Sequence, residues 1–404
     1  MDKLVFRSEI CREGIMKLRI SLVFAFCVFS MGMTKHAFSY ECPFCAAPSL
    51  TFSEQIDQSD SVVLVAWDRG IKPTEETAGQ TEYLISKIVK VPNGTVRKGD
   101  RLSLPQYRKG QKGDLFILLG TRVVTIEWGS PLAVTDASFN YITQAPSPKL
   151  STLKRLSYFM RYLEYPDPVI SNDAFAEFAG VPYKDLLTVK KKIPRERVRK
   201  WIASNDTSQT RLGLYGLLLG LSGNKEDAEF LKKKILVSTD EFRLGIDGLM
   251  GGYLILEGEK GLEVLEKTKL KSKKVSFNET YAAMSAIRFL WTYVPDKISK
   301  DRLRASMRIL LDRPDLVDLV IADLSRWEDW SVQNRLMAMY DEKKFNIPAV
   351  KRAIIGYMLS CSRGLKDNTG APPKHVVKAR KNLETLRKKD PKLVKRTERF
   401  YFAK

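Results

Sequence analysis

Histidine is almost missing from this chain, with two among 404 residues, His36 and His375. His36 lies in a segment that we expect to be removed, which leaves His375 in a basic C-terminal stretch. Ser-His-Asp and Cys-His nucleophile systems need an imidazole within hydrogen-bond reach of the nucleophile, and zinc sites draw on several His or Cys ligands. We therefore predict no catalytic residue of these kinds, no metal site and no cofactor.

Glycine-rich phosphate loops are also lacking, since neither GxxxxGK[ST] nor GxGxxG occurs, and nucleotide chemistry has no support. Acid–base catalysis by carboxylates needs neither histidine nor a phosphate loop, so these absences do not exclude it. Four acidic residues lie close together in the sequence: Glu164, Asp167, Asp173 and Glu177. Asp173 and Glu177 are spaced for one helix face. Ser171 and Asn172 are residue types that cap helices, so we predict a helix start before Asp173 and assign no catalytic residue.

Long apolar runs are the third absence, because no stretch reaches the ~20 residues that cross a bilayer. The run Ile20–Val28 follows basic residues and precedes small ones, which is the order of a signal peptide cleaved after Ser39. We predict a signal peptide over 1–39, with Met16 as a second candidate start. The protein is then exported (periplasm, cell envelope or secreted), with no membrane span after cleavage. Anchoring in the membrane by an uncleaved signal is the alternative.

Positive charge is abundant, with a formal net charge of +21. Residues 363–404 hold fourteen basic and four acidic side chains, an excess of ten, and we predict a basic tail there. In an exported protein such a tail disfavours nucleic acid and indicates an anionic polymer or surface, or another protein, as partner. A plain solvated tail is the alternative. A second basic stretch is a candidate anion-binding patch: Lys190, Lys191, Lys192, Arg195, Arg197, Arg199 and Lys200.

Residues 40–146 have the pattern of a β-rich domain. β-Branched and alternating runs separated by turn residues predict five strands, which suit a small barrel or sandwich. The predicted strands are Ser61–Trp67, Thr81–Val91, Arg101–Leu104, Asp114–Leu119 and Arg122–Trp128, with Gly120 and Thr121 between the last two.

Several segments of this domain resemble the OB-fold domains of netrins and tissue inhibitors of metalloproteinases. The resemblance rests on the N-terminal cysteines, a short helix within LTFSEQIDQSD, the strand SVVLVAW, and the segments Val91–Gly94 and Gly110–Leu119. It implies an OB-like fold. Those inhibitors chelate an enzyme's zinc through a terminal Cys in a CxC pattern, whereas here the spacing is CxxC and two residues precede Cys42 in the predicted mature chain. We carry over the fold and not the inhibitory chemistry.

The CxxC motif Cys42-Pro43-Phe44-Cys45 can close an exchangeable disulfide. In thioredoxin-type enzymes this motif begins a helix after a βα pattern, whereas here it precedes every predicted strand. We favour a structural disulfide, or the pairing of one of these cysteines elsewhere, with Cys361 as a third thiol left over. Redox or metal–thiolate chemistry by Cys42 and Cys45 is the alternative.

From about residue 150 the pattern is helical. RLGLYGLLLG from Arg211 recurs as RLGIDGLMGG from Arg243, an offset of 32 residues, and a polar turn and a second helix follow each copy. Closely spaced glycines let helices approach, and a recurring helix pair buries its face against the next pair. The region is similar to HEAT-type repeats, which implies an α-solenoid over 150–362; an irregular helical domain is the alternative. Predicted helices are Leu150–Leu163, Asp173–Phe178, Tyr183–Val189, Arg211–Gly220, Lys225–Leu236, Arg243–Gly252, Gly258–Leu265, Glu279–Tyr293, Arg302–Leu311, Leu316–Trp327 and Ala349–Cys361.

Trp327 and Trp330 in RWEDW have helical spacing and are a candidate ligand groove, with a packed core as the alternative. The sequence thus predicts a multidomain β-plus-α protein, with an OB-like barrel before a HEAT-like α-solenoid. We expect an exported, non-enzymatic scaffold or binding protein that engages a macromolecular partner through its helical-repeat surface and basic tail. A thiol–disulfide redox protein acting through the CxxC motif is the alternative.

Overall fold

The structure is a computed structural model that describes residues 42–45, 50–76, 78–92, 95–237, 239, 241–272, 274–363 and 371–402. The predicted signal peptide 1–39 lies outside these residues, and so do Asn93 and Gly94. Residues Glu41–Lys404 belong to one unit. A β part comes first and helices follow it, so the predicted β-plus-α layout is confirmed.

The strands form a nearly closed, barrel-like antiparallel sheet in the order β3-β2-β1-β4-β5, with β6 paired to β4. They are β1 (Ser61–Ile71), β2 (Gln80–Lys90), β3 (Arg101–Leu104), β4 (Leu115–Arg122), β5 (Ile126–Trp128) and β6 (Leu132–Ala133). The helix α1 (Phe52–Gln58), expected within LTFSEQIDQSD, precedes them.

The central strand β1 is apolar on both faces because both faces are covered. Val63 and Val65 point into the barrel with Tyr83 of β2. Val62 and Leu64 point the other way and join the main helical core. The β part and the helices therefore share one hydrophobic core.

The predicted break at Gly120 and Thr121 is wrong, because both residues belong to β4. Gly120 pairs with Trp128 of β5, and a methyl group at Gly120 would lie 2.6 Å from Ile126 Cγ2. This glycine therefore makes room for the partner strand. The turn lies after Arg122, and the β-branched side chains of the turn, Val123 among them, are exposed.

The helices that follow the sheet cover most of the remaining chain. The first are α2 (Asp136–Gln144), α3 (Thr152–Phe159), α4 (Pro168–Ala179), α5 (Tyr183–Leu186), α6 (Arg195–Ala203), α7 (Gln209–Ser222), α8 (Lys225–Leu236) and α9 (Ile246–Glu257). The rest are α10 (Glu259–Leu265), α11 (Phe277–Tyr293), α12 (Lys300–Arg308), α13 (Val317–Arg326), α14 (Gln333–Asp341), α15 (Pro348–Ser362), α16 (Lys374–Lys389) and α17 (Pro391–Phe402). Short 3-10 turns cover Leu187–Lys192, Ile309–Asp312, Trp330–Val332 and Lys343–Phe345, and a π-helical turn covers Glu266–Leu270.

The predicted helix start near Ser171 and Asn172 is wrong. Helix α4 begins at Pro168, and the Oδ1 atom of Asp167 accepts a hydrogen bond from the Val169 N–H at 2.8 Å. Proline at the first helical position needs no hydrogen-bond partner for its nitrogen, so Asp167-Pro168 is the stronger start signal. Asp173 consequently lies in the middle of α4.

The glycine-rich repeat places α7 against α9 at close approach. A methyl group at Gly216 would lie 2.5 Å from both the carbonyl oxygen of Gly248 and the nitrogen of Leu249. One at Gly220 would lie 2.5 Å from Gly252 Cα. The two repeat copies thus pack backbone to backbone, as the glycine spacing predicts.

Candidate functional site

The predicted basic tail is helical over residues 374–402, where α16 and α17 pack on α15. Val376, Ala379, Leu383 and Leu386 are buried along one face of α16. This helical periodicity is the signal that sequence reasoning missed, because the charge excess dominated the interpretation. We call α16 and α17 together the basic hairpin.

Polar contacts hold the basic hairpin in place. The Gln333 side chain of α14 donates to the His375 carbonyl oxygen at 3.0 Å and accepts from Asn382 at 3.2 Å. On α17, the Tyr401 ring occupies the space that Gly356 leaves on α15, where a methyl group would lie 2.8 Å from the ring. The hairpin is thus a fixed part of the helical array.

The outer face of the basic hairpin is strongly cationic. Arg387 pairs with Glu398 and Lys389 with Asp341. Nine further basic side chains are exposed and have no carboxylate within 4.0 Å in the described part of the chain: Lys374, Lys378, Arg380, Lys381, Lys388, Lys392, Lys395, Arg396 and Arg399. Glu384 is an exposed carboxylate on α16, so the surface keeps a large but not complete excess of positive charge.

The other basic stretch, 190–200, is divided between solvent and internal contacts. Lys190, Lys191, Lys192 and Lys200 are exposed. The arginines serve the fold: Arg195 and Arg199 lie 3.4 and 3.3 Å from the buried Asp227 carboxylate. Arg197 lies over the Trp201 ring at 5.3 Å. This stretch therefore has fewer exposed basic side chains without an internal partner than the basic hairpin has.

Asp173 and Glu177, the pair spaced for one helix face, are buried between the β part and the helices. Asp173 accepts hydrogen bonds from the Phe52 N–H and the Tyr141 hydroxyl, each at 2.7 Å. Glu177 accepts a hydrogen bond from the Ser53 hydroxyl and forms an ion pair with Arg155. These contacts tie the first turn of α1 to α4.

Burial raises the pKa of Asp173 to about 6, against the opposing effect of its two hydrogen bonds. Such a pKa would suit a general acid or base, yet both carboxylate oxygens already have partners and the side chain is enclosed. The arrangement therefore joins two parts of the fold.

The CxxC motif is docked on the helical array. Cys42 and Cys45 are joined by a disulfide bond, and the Cys42 N–H donates to the Ala179 carbonyl oxygen at 2.9 Å. Phe44 is buried between glycines of the repeat. A methyl group at Gly213 would lie 2.5 Å from the Phe44 carbonyl oxygen, and one at Gly251 would lie 2.6 Å from the Phe44 ring. The second role of the repeat glycines is thus to hold this N-terminal loop.

The two tryptophans of RWEDW do not share a helix face. Helix α13 ends at Arg326, and Glu328 has φ 54°, which turns the chain between the tryptophans. Trp327 is buried and stacks on Trp291 at 4.3 Å. Trp330 is half-buried and packs against Tyr357 and His375. The structure places each ring in packing contacts with its own set of neighbours.

Cys361 is a buried free thiol, and burial raises its pKa to about 11. No group of three or more His, Cys, Asp or Glu side chains in the described part is arranged to hold a metal ion. Within the same part, none of the helices combines the length and apolar character that a membrane span requires.

We also compared the chain with known proteins. Family models, curated proteins and solved structures contain no significant match to it.

Proposed function

We propose that this protein is an exported, non-enzymatic binding protein whose basic hairpin engages an anionic polymer or surface. The observation that carries the proposal is the set of nine exposed cations without carboxylate partners on α16 and α17. A fixed array of charges loses less side-chain and backbone entropy on binding than a disordered tail does. Negatively charged partners with closely spaced charges fit such a face.

The helical part acts as the rigid support in this proposal. Ion pairs join segments of the helical part at similar spacings along the chain. Arg243 and Glu279 are 36 residues apart, as are Arg302 and Glu266, and Arg288 and Asp323 are 35 residues apart. With the 32-residue glycine repeat, this regularity supports a HEAT-like array. The six-stranded sheet supports an OB-like interpretation of the β part.

The redox alternative has weaker support. Cys42 is buried against α4, and Phe44 fills the notch between repeat glycines, so attack on the Cys42 sulfur by an external thiol requires the loop to leave its site. We therefore interpret the Cys42–Cys45 bond as structural.

Charge removal on the basic hairpin tests the proposal. The variant Lys388→Gln, Lys392→Gln, Lys395→Gln, Arg396→Gln in residues 40–404 should bind poly-glutamate, and vesicles of phosphatidylglycerol in phosphatidylcholine, at least tenfold more weakly than the parent. Each basic group near an anionic surface contributes about 1 kcal/mol. Binding of the parent should also weaken between 50 and 200 mM NaCl, because salt screens exposed charges.

The matched control removes the same number of charges elsewhere: Lys190→Gln, Lys191→Gln, Lys192→Gln, Lys200→Gln. We expect it to bind like the parent. Equal losses in both variants would show that net charge alone matters. Absence of binding to either polyanion at 50 mM NaCl would reject the proposal.

A further inference from the structure

The barrel-like sheet does not close between its two edge strands, β3 and β5, and a cavity of about 660 Å³ lies there. Leu104 of β3 and Trp128 of β5 line it from opposite edges, and Tyr83 of β2 also lines it. The segments after β3 and β5 complete it with Tyr107, Arg108 and Pro131. The lining thus combines aromatic and apolar side chains with polar groups, among them Gln106 and Ser130.

Arg108 is the only charged residue in the described lining of this cavity. Its Nη1 atom donates to the Pro131 carbonyl oxygen at 2.8 Å, and its guanidinium lies over the Phe116 ring at 4.8 Å. No carboxylate in the described chain lies within ion-pair distance of it, although the side chain is half-buried. A guanidinium has five N–H donors, so most of them stay available to an anion.

The backbone of Arg108 is held on both sides. Its N–H donates to Thr81 Oγ1 at 2.7 Å, and its carbonyl oxygen accepts from Trp67 Nε1 at 3.0 Å. The cation is therefore positioned before any ligand arrives, which lowers the entropic cost of binding.

Tyr83 supports the cavity wall from below its accessible surface. Its side chain is fully buried, and its hydroxyl, which has almost no accessible surface, has no hydrogen-bond partner within the described residues. Burial raises the pKa of Tyr83, while the positive charge of Arg108 and the neighbouring Thr81 hydroxyl act in the opposite direction. The Thr81 hydroxyl donates to the Gln106 carbonyl oxygen at 2.7 Å. A ligand in the cavity therefore meets Arg108 and not the Tyr83 hydroxyl.

An arginine without a carboxylate partner, beside the flat side chains of Trp128 and Pro131, defines the ligand that would satisfy the site. We propose that this cavity binds a carboxylate attached to a flat apolar group, either a small aromatic acid or the C-terminus of a peptide that ends in an aromatic residue. The carboxylate accepts hydrogen bonds from Arg108, and the apolar group packs against Tyr107, Trp128 and Pro131.

Calorimetric titration of residues 40–404 tests this. Phenylacetate and 3-phenylpropionate represent small acids, acetyl-Ala-Phe represents a peptide C-terminus, and the corresponding amides are the uncharged comparisons. We expect at least one acid to bind at least tenfold more tightly than its amide, because a hydrogen bond to a charged group is stronger than one to a neutral group. The tighter of the two acid classes identifies the source of the ligand. If no acid binds at millimolar concentration, or amides bind equally well, the proposal is wrong.

Variants separate binding from folding. Arg108→Gln should weaken binding of the acid at least tenfold, and Arg108→Lys should recover part of it, since charge returns without the planar fork. Tyr83→Phe should bind the acid like the parent and leave the thermal midpoint unchanged or higher, because the hydroxyl is out of reach of a ligand and makes no bond in the free protein. Arg101→Gln removes an arginine that pairs with Asp68 and Glu82 outside the described lining, and it should bind normally. Normal binding by Arg108→Gln would overturn the assignment.

Discussion

Asp173 shows how the fold changes the chemistry of one residue. Sequence spacing places it with Glu177 on one helix face, where an acid–base pair is conceivable. The structure instead encloses its carboxylate under the first turn of α1, and both oxygens accept hydrogen bonds. Its raised pKa therefore makes the free energy of unfolding depend on pH, because the folded protein holds the proton more tightly than the unfolded chain does.

Titration of Asp173 should appear in the pH dependence of unfolding. At pH 7 the folded state carries the buried charge of the Asp173 carboxylate. Below the folded pKa of about 6 the carboxylate is protonated and this charge is removed. In the unfolded chain the same side chain stays ionised down to a pH of about 4. The contribution of Asp173 to the free energy of unfolding should thus rise by about 2 kcal/mol as pH falls from 7 to 4. Urea denaturation at both pH values measures it. Asp173→Asn should lack this increment.

The control for that comparison is Asp301→Asn, since Asp301 is an exposed carboxylate in the first turn of α12. It should keep the pH dependence of the parent. The interpretation fails if Asp173→Asn and the parent change equally between pH 7 and pH 4.

At the scale of helices, the interface of α7 and α9 depends on glycine because backbone atoms meet there. Gly216 faces the carbonyl oxygen of Gly248, and Gly252 contacts the carbonyl group of Gly216. Both helices lose intrinsic stability through their glycines, by about 1 kcal/mol per residue relative to alanine. Close packing of the two helices must compensate for this loss.

Gly216→Ala should therefore destabilise the protein by about 3 kcal/mol, although alanine is the better helix former, because overpacking forces the two backbones apart. The free energy of unfolding in urea measures the change. Gly261→Ala in α10 is the control: the atoms nearest to its added methyl group belong to side chains. It should change stability by less than about 1 kcal/mol. A stabilised Gly216→Ala variant would show that α7 and α9 lie farther apart than the structure places them.

At the scale of the whole molecule, the β part and the helices are joined by a common core and by buried polar contacts. Val62 and Leu64 of β1 belong to the same cluster as the helical core. Ser53 bonds to Glu177, 124 residues away, and Phe44 packs among the repeat glycines. Because these contacts are buried, separating the two parts exposes apolar surface and leaves polar groups unpaired.

We expect the two parts to unfold in one cooperative transition. Hydrogen exchange along a urea series should remove protection from β1 and from α7 at the same urea concentration. Glu177→Ala, which leaves Arg155 unpaired, should lower both midpoints together, whereas Glu229→Ala removes an exposed carboxylate and should leave them unchanged. Loss of protection in β1 while α7 stays protected would indicate independent domains.

Much of the local structure could be predicted from periodicity. Helix α8 has the predicted bounds Lys225–Leu236, and β3 has the predicted bounds Arg101–Leu104. Helices whose apolar pattern is weak, or is hidden by many charged residues, were not predicted: α2, α6, α14, α16 and α17. In α16 the basic residues outnumber the apolar ones, so composition concealed a regular buried face.

For the candidate sites too, some features follow from the sequence and others only from the fold. The sequence alone determined which residue types are present: few histidines, an excess of basic residues near the C-terminus, a CxxC motif and a glycine repeat. These are local properties, and spacing along a helix or strand is enough to recognise them.

Only the tertiary structure decided which of these residues meet. It seats Phe44 in the glycine notch, joins Phe52 to Asp173 across 121 residues, and leaves a cavity with Arg108 and Tyr83 between β3 and β5. Such contacts depend on how all the elements pack together, because a buried polar group takes whichever partner the packed core brings within reach. Spacing along the chain does not contain that information.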